Sequence, residues 1–242
     1  MNTPPYLQPF VLPVAAPQMR RDDTLDSYWP VDSGSDPRPV IVFVHGGPIP
    51  AELRPTPRDW PAFIGYGSLA ASRGVAGVMF DHRLYSTSAF PAAAADVATA
   101  VERARALPGI DPDRVALWFF SGGGLLAADW LSAPAAWVRC VALTYPVLAP
   151  LPGRDVDARF RPAEAVRNSG ELPILLTRVG RERAEIAATV EAFTQEAERH
   201  RTRLTVIDVP EGQHGFDTLD HSEDSRTAVL QAMSWVVEAL QR

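Results

Sequence analysis

The chain has 242 residues, of which 46% are hydrophobic and 21% charged, values typical of one globular domain. Its net charge of −6 argues against nucleic acid as a partner, because an acidic chain repels phosphate backbones. All 23 basic residues are arginines, which excludes Schiff-base chemistry on a lysine and a phosphate-binding loop that needs one.

Cysteine content and the N-terminal segment bear on the cellular compartment. Cys140 is the single cysteine, so an internal disulfide and a cysteine-rich metal site are excluded. No apolar run approaches the roughly 20 residues that a transmembrane helix needs. In the N-terminal segment the basic residues follow the apolar ones, which is the reverse of a signal peptide. We therefore expect a cytoplasmic protein that does not contact a membrane.

The predicted elements begin after a proline-rich N-terminal segment. Repeated prolines predict an extended arm at residues 1–22, followed by a single domain at 23–242. Residues 23–32 are predicted to hold one short strand. Apolar and β-branched runs predict further strands at 39–47, 75–81, 114–120, 138–146, 173–179 and 204–209. Helical periodicity predicts helices at 60–73, 91–107, 122–131, 183–199 and 222–240.

The alternation of strands and helices predicts the fold class. It indicates an α/β fold with a mostly parallel central sheet of about six main strands and helices on both faces. Residues 148–171 are irregular and interrupted by prolines, so we expect a small cap or a crossover loop there. Ligands bind at the carboxyl ends of the strands in such sheets, and the residues directly after each strand are therefore the candidates for a functional site.

Residues suited to nucleophilic catalysis follow three of the predicted strands, in the order Ser121, Glu182, His214. A serine hydroxyl is a weak nucleophile until a base takes its proton, and imidazole can do so near neutral pH. A carboxylate behind the imidazole fixes its tautomer and stabilises its charged form. Gly46 and Gly47 follow the first main strand, where they let a substrate oxygen approach backbone N–H groups. The order of serine, acid and histidine is that of the α/β-hydrolase fold.

Four segments together carry a resemblance to a known family: HGGP at 45–48, FDHRLY at 80–85, FFSGGGLLAA at 119–128 and EGQHGF at 211–216. They resemble the oxyanion-hole motif, a strand-end motif, the nucleophile segment and the histidine loop of α/β-hydrolases of the esterase type. The similarity is to the hormone-sensitive-lipase-like and related small serine esterases, and it extends from residue 39 to the C-terminus. It implies the α/β-hydrolase fold and chemistry that needs no cofactor and no metal.

The resemblance also implies a role for individual residues. Ser121 corresponds to the nucleophile, His214 to the general base and acid, and Glu182 to the carboxylate. Backbone N–H groups of three glycines are the candidates for the oxyanion hole, namely Gly46, Gly47 and Gly122.

Two features depart from the family pattern. Phe119 stands two residues before Ser121, where a small residue normally packs in the tight turn. Its side chain must therefore point away from the turn or widen it. Family members more often have aspartate as the acid, and the chain offers Glu185, Asp208 and Asp217 as alternative carboxylates.

These residues predict a serine hydrolase that cleaves a carboxylic ester through an acyl-enzyme. We expect a small or moderately sized substrate, because little chain remains to wall a long channel. A lactonase, a thioesterase or an acyltransferase would use the same three residues. A non-catalytic ligand-binding member of the fold is an alternative from a different class. Both a monomer and a homodimer are compatible with the sequence.

Overall fold

The computed structural model describes residues 3–15, 18–31 and 36–242. Within these residues the chain forms one eight-stranded sheet in the spatial order β1-β2-β4-β3-β5-β6-β7-β8. The strands are β1 Gln18–Arg21, β2 Leu25–Trp29, β3 Arg38–Val44, β4 Ala76–Phe80, β5 Ile110–Phe120, β6 Val138–Thr144, β7 Ile174–Arg181 and β8 Leu204–Gln213. Strands β3 to β8 pair in parallel, whereas β1 and β2 are antiparallel at one edge. The predicted sheet of about six main parallel strands is thus confirmed.

Helices connect the parallel strands. They are α1 Pro61–Ser72, α2 Phe90–Arg105, α3 Ala128–Ser132, α4 Pro162–Ala165, α5 Ala184–Arg199, α6 Phe216–Leu219 and α7 Glu223–Gln241. Proline stands in the first turn of α1 and of α2. A backbone N–H at that position would have no partner within the helix, so proline costs no hydrogen bond there. Helix α7 begins after Ser222, whose Oγ accepts the N–H of Ser225 at 3.1 Å. No helix in the described ranges is long and apolar enough to cross a membrane.

The apolar core lies on both faces of the sheet. One cluster joins α2 and α5 to one face, and a second cluster joins α1 and α7 to the other. Strand β5 contributes to both, because its alternate side chains point to opposite faces. Phe119 belongs to the first cluster, while Trp118 and Phe120 belong to the second. Phe119 is fully buried among core residues and therefore points away from the turn that follows β5.

The N-terminal segment differs from an arm that merely extends from the domain. Residues 18–21 contain no proline and pair with β2 as the edge strand β1, while Pro5–Leu7 form a short 3₁₀ turn. Phe10 and Val11 are buried, and the Phe10 ring lies 4.9 Å from that of Tyr66. Phe10 and Val11 thus fill part of the core, so the described part of the N-terminal segment packs against the rest of the domain.

Two predicted elements have a different form. The helix predicted at 122–131 is a 3₁₀ helix over Ser121–Ala127 followed by the short helix α3. Three consecutive glycines have low helix propensity, so packing determines the conformation there. The irregular segment at 148–171 contains only α4 and a 3₁₀ turn at Val166–Asn168.

Candidate active site

The end of strand β5 places Ser121 on a sharp turn. Its φ angle is 51°, in the left-handed region that non-glycine residues rarely adopt. A strained serine between a strand and a helix is typical of a nucleophile elbow. A Cβ on Gly122 would lie 1.9 Å from the carbonyl oxygen of Gly47, and one on Gly123 would lie 2.3 Å from that of His45. Only glycine permits this contact between the serine turn and the loop after β3.

Three side chains form a hydrogen-bonded chain at this edge of the sheet. The Ser121 hydroxyl donates to His214 Nε2 at 2.7 Å, and His214 Nδ1–H donates to Glu182 Oε2 at 2.5 Å. These donor roles follow from the carboxylate, which can only accept and so requires the proton on Nδ1. The second oxygen of Glu182 accepts the Arg183 N–H at 2.8 Å, and its side chain is 4% exposed. The structure thus brings together the serine, the histidine and the glutamate selected from the sequence.

Strand register explains why the acid meets the histidine. Strands β7 and β8 are parallel neighbours, and Arg181 pairs with Gln213. The next residue of each chain segment, Glu182 and His214, therefore emerges at the same edge. Sequence distance between them is large, yet adjacent parallel strands make them neighbours.

The alternative carboxylates have other partners. Glu185 lies 3.8 Å from Arg183, and Asp208 pairs with Arg178 at 2.5 Å on the strand surface. Asp217 accepts hydrogen bonds from two tyrosine hydroxyls and is buried. The bond to His214 Nδ1 is made by Glu182.

The loop after β3 lies directly against the serine. A Cβ on Gly46 would lie 2.9 Å from the Ser121 Cβ and 3.4 Å from its Oγ. In the part of the chain that the structure describes, no protein acceptor receives the N–H of Gly46 or Gly47. Gly122 follows the serine and is buried against Gly47. The three predicted oxyanion-hole glycines therefore surround Ser121.

Two buried histidines hold this loop in place. The rings of His45 and His82 stack with centroids 3.6 Å apart. His45 Nδ1–H donates to the Gly46 carbonyl at 2.6 Å, and its Nε2 accepts the His82 N–H at 3.3 Å. Burial lowers the pKa of His82 to about 4. The pKa of His45 lies well below 6.5, mainly because its ring is buried and also because His82 lies beside it. Both rings are therefore uncharged near neutral pH and act as packing and hydrogen-bonding groups.

A buried polar cluster beside His214 joins Asp217, which the sequence offered only as an alternative acid, to two tyrosines that were not selected. Asp217 accepts the Tyr145 hydroxyl at 2.8 Å and the Tyr66 hydroxyl at 3.1 Å. The Tyr145 ring lies 4.9 Å from the His214 ring. Burial raises the pKa of Asp217 to about 6, although the two tyrosine bonds oppose the shift. Tyr145 directly follows β6, but the strand was predicted to extend to residue 146, so the rule that selects residues after strands did not find it.

Two cavities meet at the serine. One, of about 340 Å³, has aromatic walls and includes both Ser121 and His214. The other, of about 380 Å³, has mostly apolar walls and includes Ser121 and Gly122. Tyr6 of the N-terminal segment lines the first, and Leu151 of the segment at 148–171 lines the second. Among the described residues, no three histidine, cysteine, aspartate or glutamate side chains are grouped as a metal site requires.

Comparison with known proteins confirms the fold. The family model BD-FAE matches residues 25–131, which include the glycine loop and the serine turn. Esterase 2 of Thermogutta terrifontis phosphorylated by paraoxon superposes with a TM-score of 0.68 at 19% identity, covering 93% of this chain and 95% of that one. Its propionate-bound form gives 0.68 at 19% identity over 92% and 94%. Its butyrate-bound form gives 0.67 at 18% identity over 92% and 94%. Among curated proteins, no sequence match was found.

Proposed function

We propose that this α/β-hydrolase-fold protein is a serine esterase that hydrolyses carboxylic esters of small or moderate size. The observation that carries the proposal is the chain of hydrogen bonds from Ser121 through His214 to Glu182, with the serine on a strained turn. A plain helix cap or a surface histidine would need neither the strain nor the buried carboxylate. This arrangement is what activation of a serine hydroxyl requires.

The proposed reaction has two halves. Ser121 Oγ attacks the ester carbonyl while His214 Nε2 takes the hydroxyl proton, and Glu182 stabilises the resulting imidazolium. His214 then gives the proton to the departing alkoxide, which leaves an acyl group on the serine. Water, deprotonated by the same imidazole, attacks the acyl-enzyme and releases the acid. The His214 side chain is 28% exposed, so water can reach it.

Backbone N–H groups stabilise the oxyanion that forms in each half-reaction. Gly46 and Gly47 supply N–H groups without a protein acceptor beside Ser121, and Gly122 supplies the N–H next to the nucleophile. Losing one such donor typically costs about 3–4 kcal/mol of transition-state stabilisation. The stacked histidines and the glycine contacts fix these donors before substrate arrives, which is the condition for a large effect.

The comparisons support this reading. The similar protein from Thermogutta terrifontis is an esterase, and its structures include an organophosphate-modified form and forms with propionate and butyrate. Short acyl groups fit cavities of about 340 and 380 Å³. Lactonase, thioesterase and acyltransferase activities would use the same three residues, and no observation favours them over hydrolysis. The cytoplasmic location and the oligomeric state stay predictions.

Hydrolysis of short p-nitrophenyl esters tests the proposal. Wild-type protein should turn over the acetate and butyrate esters, and Ser121→Ala should lose at least about 10⁴-fold in kcat. The matched control is Ser132→Ala, at the exposed end of α3, which should keep wild-type kinetics. Full activity in Ser121→Ala would contradict the proposed nucleophile.

A further inference from the structure

The two cavities that meet at Ser121 differ in charge. The cavity of about 340 Å³ has aromatic walls and one charged group among its lining residues besides His214, the buried Asp217. The cavity of about 380 Å³ has an apolar lining that includes Phe90 and Leu125. Its charged lining residues are both arginines, Arg154 and Arg183. One side of the nucleophile is therefore cationic, in a protein whose net charge is −6.

Among the described residues Arg154 forms no ion pair, and Arg183 forms one at long range. Arg154 is exposed, and its backbone N–H donates to Leu151. The Arg183 side chain is also exposed, and it pairs with the exposed carboxylate of Glu185 at 3.8 Å. By contrast, Arg159 in the same segment as Arg154 makes two bonds of 2.6 Å to Asp129. A guanidinium has five donors and binds carboxylates in a bidentate manner, so two exposed guanidinium groups at one cavity have donors left for an anion.

The acids near these arginines do not line the cavity. Asp155 and Asp157 follow Arg154 closely in the chain, but neither lines the cavity. Asp157 accepts the N–H of Arg159 at 2.8 Å. Glu182 lies beside Arg183, but its two oxygens are bonded to His214 and to a backbone N–H. Among the described residues no acidic side chain lines this cavity, so the two arginines can donate to an anionic ligand there.

We propose that the cavity lined by Arg154 and Arg183 is a subsite for a carboxylate carried by the substrate. The ester would bear this carboxylate beyond an apolar spacer, since Val147, Leu151 and Val156 line the same cavity as the serine and the arginines. This inference rests on the proposed hydrolysis at Ser121 and names the class of ester. Such a substrate is an ester of a dicarboxylic acid or of a hydroxy acid.

Two pairs of esters test the subsite. One pair has the charge on the acyl side, mono-p-nitrophenyl adipate and its methyl ester. The other has it on the alcohol side, 4-acetoxybenzoate and its methyl ester. We expect wild-type kcat/KM to favour the carboxylate member of at least one pair by roughly tenfold, since a charged hydrogen bond to a guanidinium is stronger than a neutral one. The pair that shows the preference identifies the side of the ester that occupies this cavity.

Arginine variants connect the preference to these side chains. Arg154→Gln and Arg183→Gln should each lower the ratio of kcat/KM for charged over neutral ester by roughly threefold, and the double variant should abolish the preference. The preference should also shrink in 0.5 M NaCl, because exposed charges are screened. The matched control is Arg167→Gln, at an exposed position outside both cavities, which should leave the ratio unchanged.

A binding measurement separates failure of the subsite from failure of the esterase proposal. Calorimetry on Ser121→Ala with each ester requires no turnover, and the carboxylate member should bind more tightly than its methyl ester. Equal binding within both pairs, or a preference that persists in the double arginine variant, would overturn the subsite. Loss of turnover with retained charge-selective binding would instead contradict only the proposed hydrolysis.

Discussion

At the scale of single residues, Glu182 is the group whose role can be isolated most cleanly. The change Glu182→Gln keeps the shape of the side chain but removes the charge that stabilises the imidazolium. We expect kcat to fall by about 10²–10⁴-fold with KM little changed, because the lost interaction strengthens only in the transition state. Steady-state kinetics on p-nitrophenyl butyrate measure both constants.

The control for this change lies on the same segment. Glu185→Gln removes a carboxylate from the first turn of α5 that pairs only distantly with Arg183. It should leave kcat within about twofold, since an exposed pair of this kind contributes little. Equal activity of Glu182→Gln and Glu185→Gln would transfer the acid role to another carboxylate.

The raised pKa of Asp217 predicts how the free energy of unfolding depends on pH. Its pKa is raised from 3.8 to about 6, so between these values the folded state binds more protons than the unfolded state. The stabilising contribution of this carboxyl group is therefore greatest below pH 3.8 and is lost as the pH rises through 6. Asp217→Asn removes this titration. The free energy of unfolding of the variant minus that of the wild type should therefore increase by about 2–3 kcal/mol from pH 4 to pH 7.

Urea denaturation of both proteins at several pH values measures this difference. Taking the difference cancels the other titrating groups, including the two buried histidines. A difference in unfolding free energy that stays flat from pH 4 to pH 7 would show that Asp217 ionises in the fold as it does in the unfolded chain.

Phe119 shows what sequence reasoning at the residue scale could and could not resolve. The sequence indicated that a phenylalanine two residues before the nucleophile must point away from the turn or widen it. Strand alternation alone could not choose, because β5 is buried on both faces. The structure places the ring in the core cluster with α2 and α5. The close contacts at the turn are therefore made by the glycines that follow Ser121 and not by Phe119.

At the scale of elements, the contact between the serine turn and the loop after β3 is the most constrained feature. The change Gly123→Ala would place a methyl group 2.3 Å from the His45 carbonyl oxygen, and backbone would have to move. We expect a loss of about 3 kcal/mol or more in the free energy of unfolding, together with loss of activity. Denaturant unfolding and the butyrate assay measure the two effects.

The comparison variant for this prediction is Gly170→Ala. That glycine has φ +55° but no atom within 4 Å of an added Cβ, so the variant carries only backbone strain. The expected cost is about 1–2 kcal/mol, with activity retained. An equal cost at both positions would contradict the packing account of the serine turn.

Element type could be predicted where burial on both faces produces an uninterrupted apolar run, as in β3 and β5. It could not be predicted where tertiary packing overrides local preference. The 3₁₀ helix over Ser121–Ala127 forms where its glycines pack against the loop after β3. No hydrophobic periodicity in the sequence predicts such a contact. Strand β1 could not be predicted, because prolines elsewhere in residues 1–22 favoured an extended arm. Its hydrogen bonds are made with the neighbouring strand β2.

At the scale of the whole molecule, distant segments complete the site. The N-terminal segment reaches the first cavity, where Tyr6 packs against Trp60 at 4.8 Å between ring centroids. Val11 N–H also donates to the Asp217 carbonyl at 2.9 Å, which connects the segment to helix α6. The segment at 148–171 supplies Arg154 to the second cavity.

The serine, glutamate and histidine could be predicted because parallel strands end at one edge of the sheet. The cavities could not be predicted, because they arise where irregular segments fold over that edge. The contact between Tyr145 and Asp217 could not be predicted either, because long-range packing joins the residue after β6 to helix α6.

The reactivity of one serine tests the central claim most directly. A fluorophosphonate reacts with a serine that an adjacent base activates, and the adduct survives for peptide mapping by mass spectrometry. We expect wild-type protein to gain one adduct, located on Ser121, with slow labelling of Glu182→Gln and none of Ser121→Ala. An unlabelled wild-type protein, or an adduct on a different serine, would contradict the assignment of Ser121 as the nucleophile.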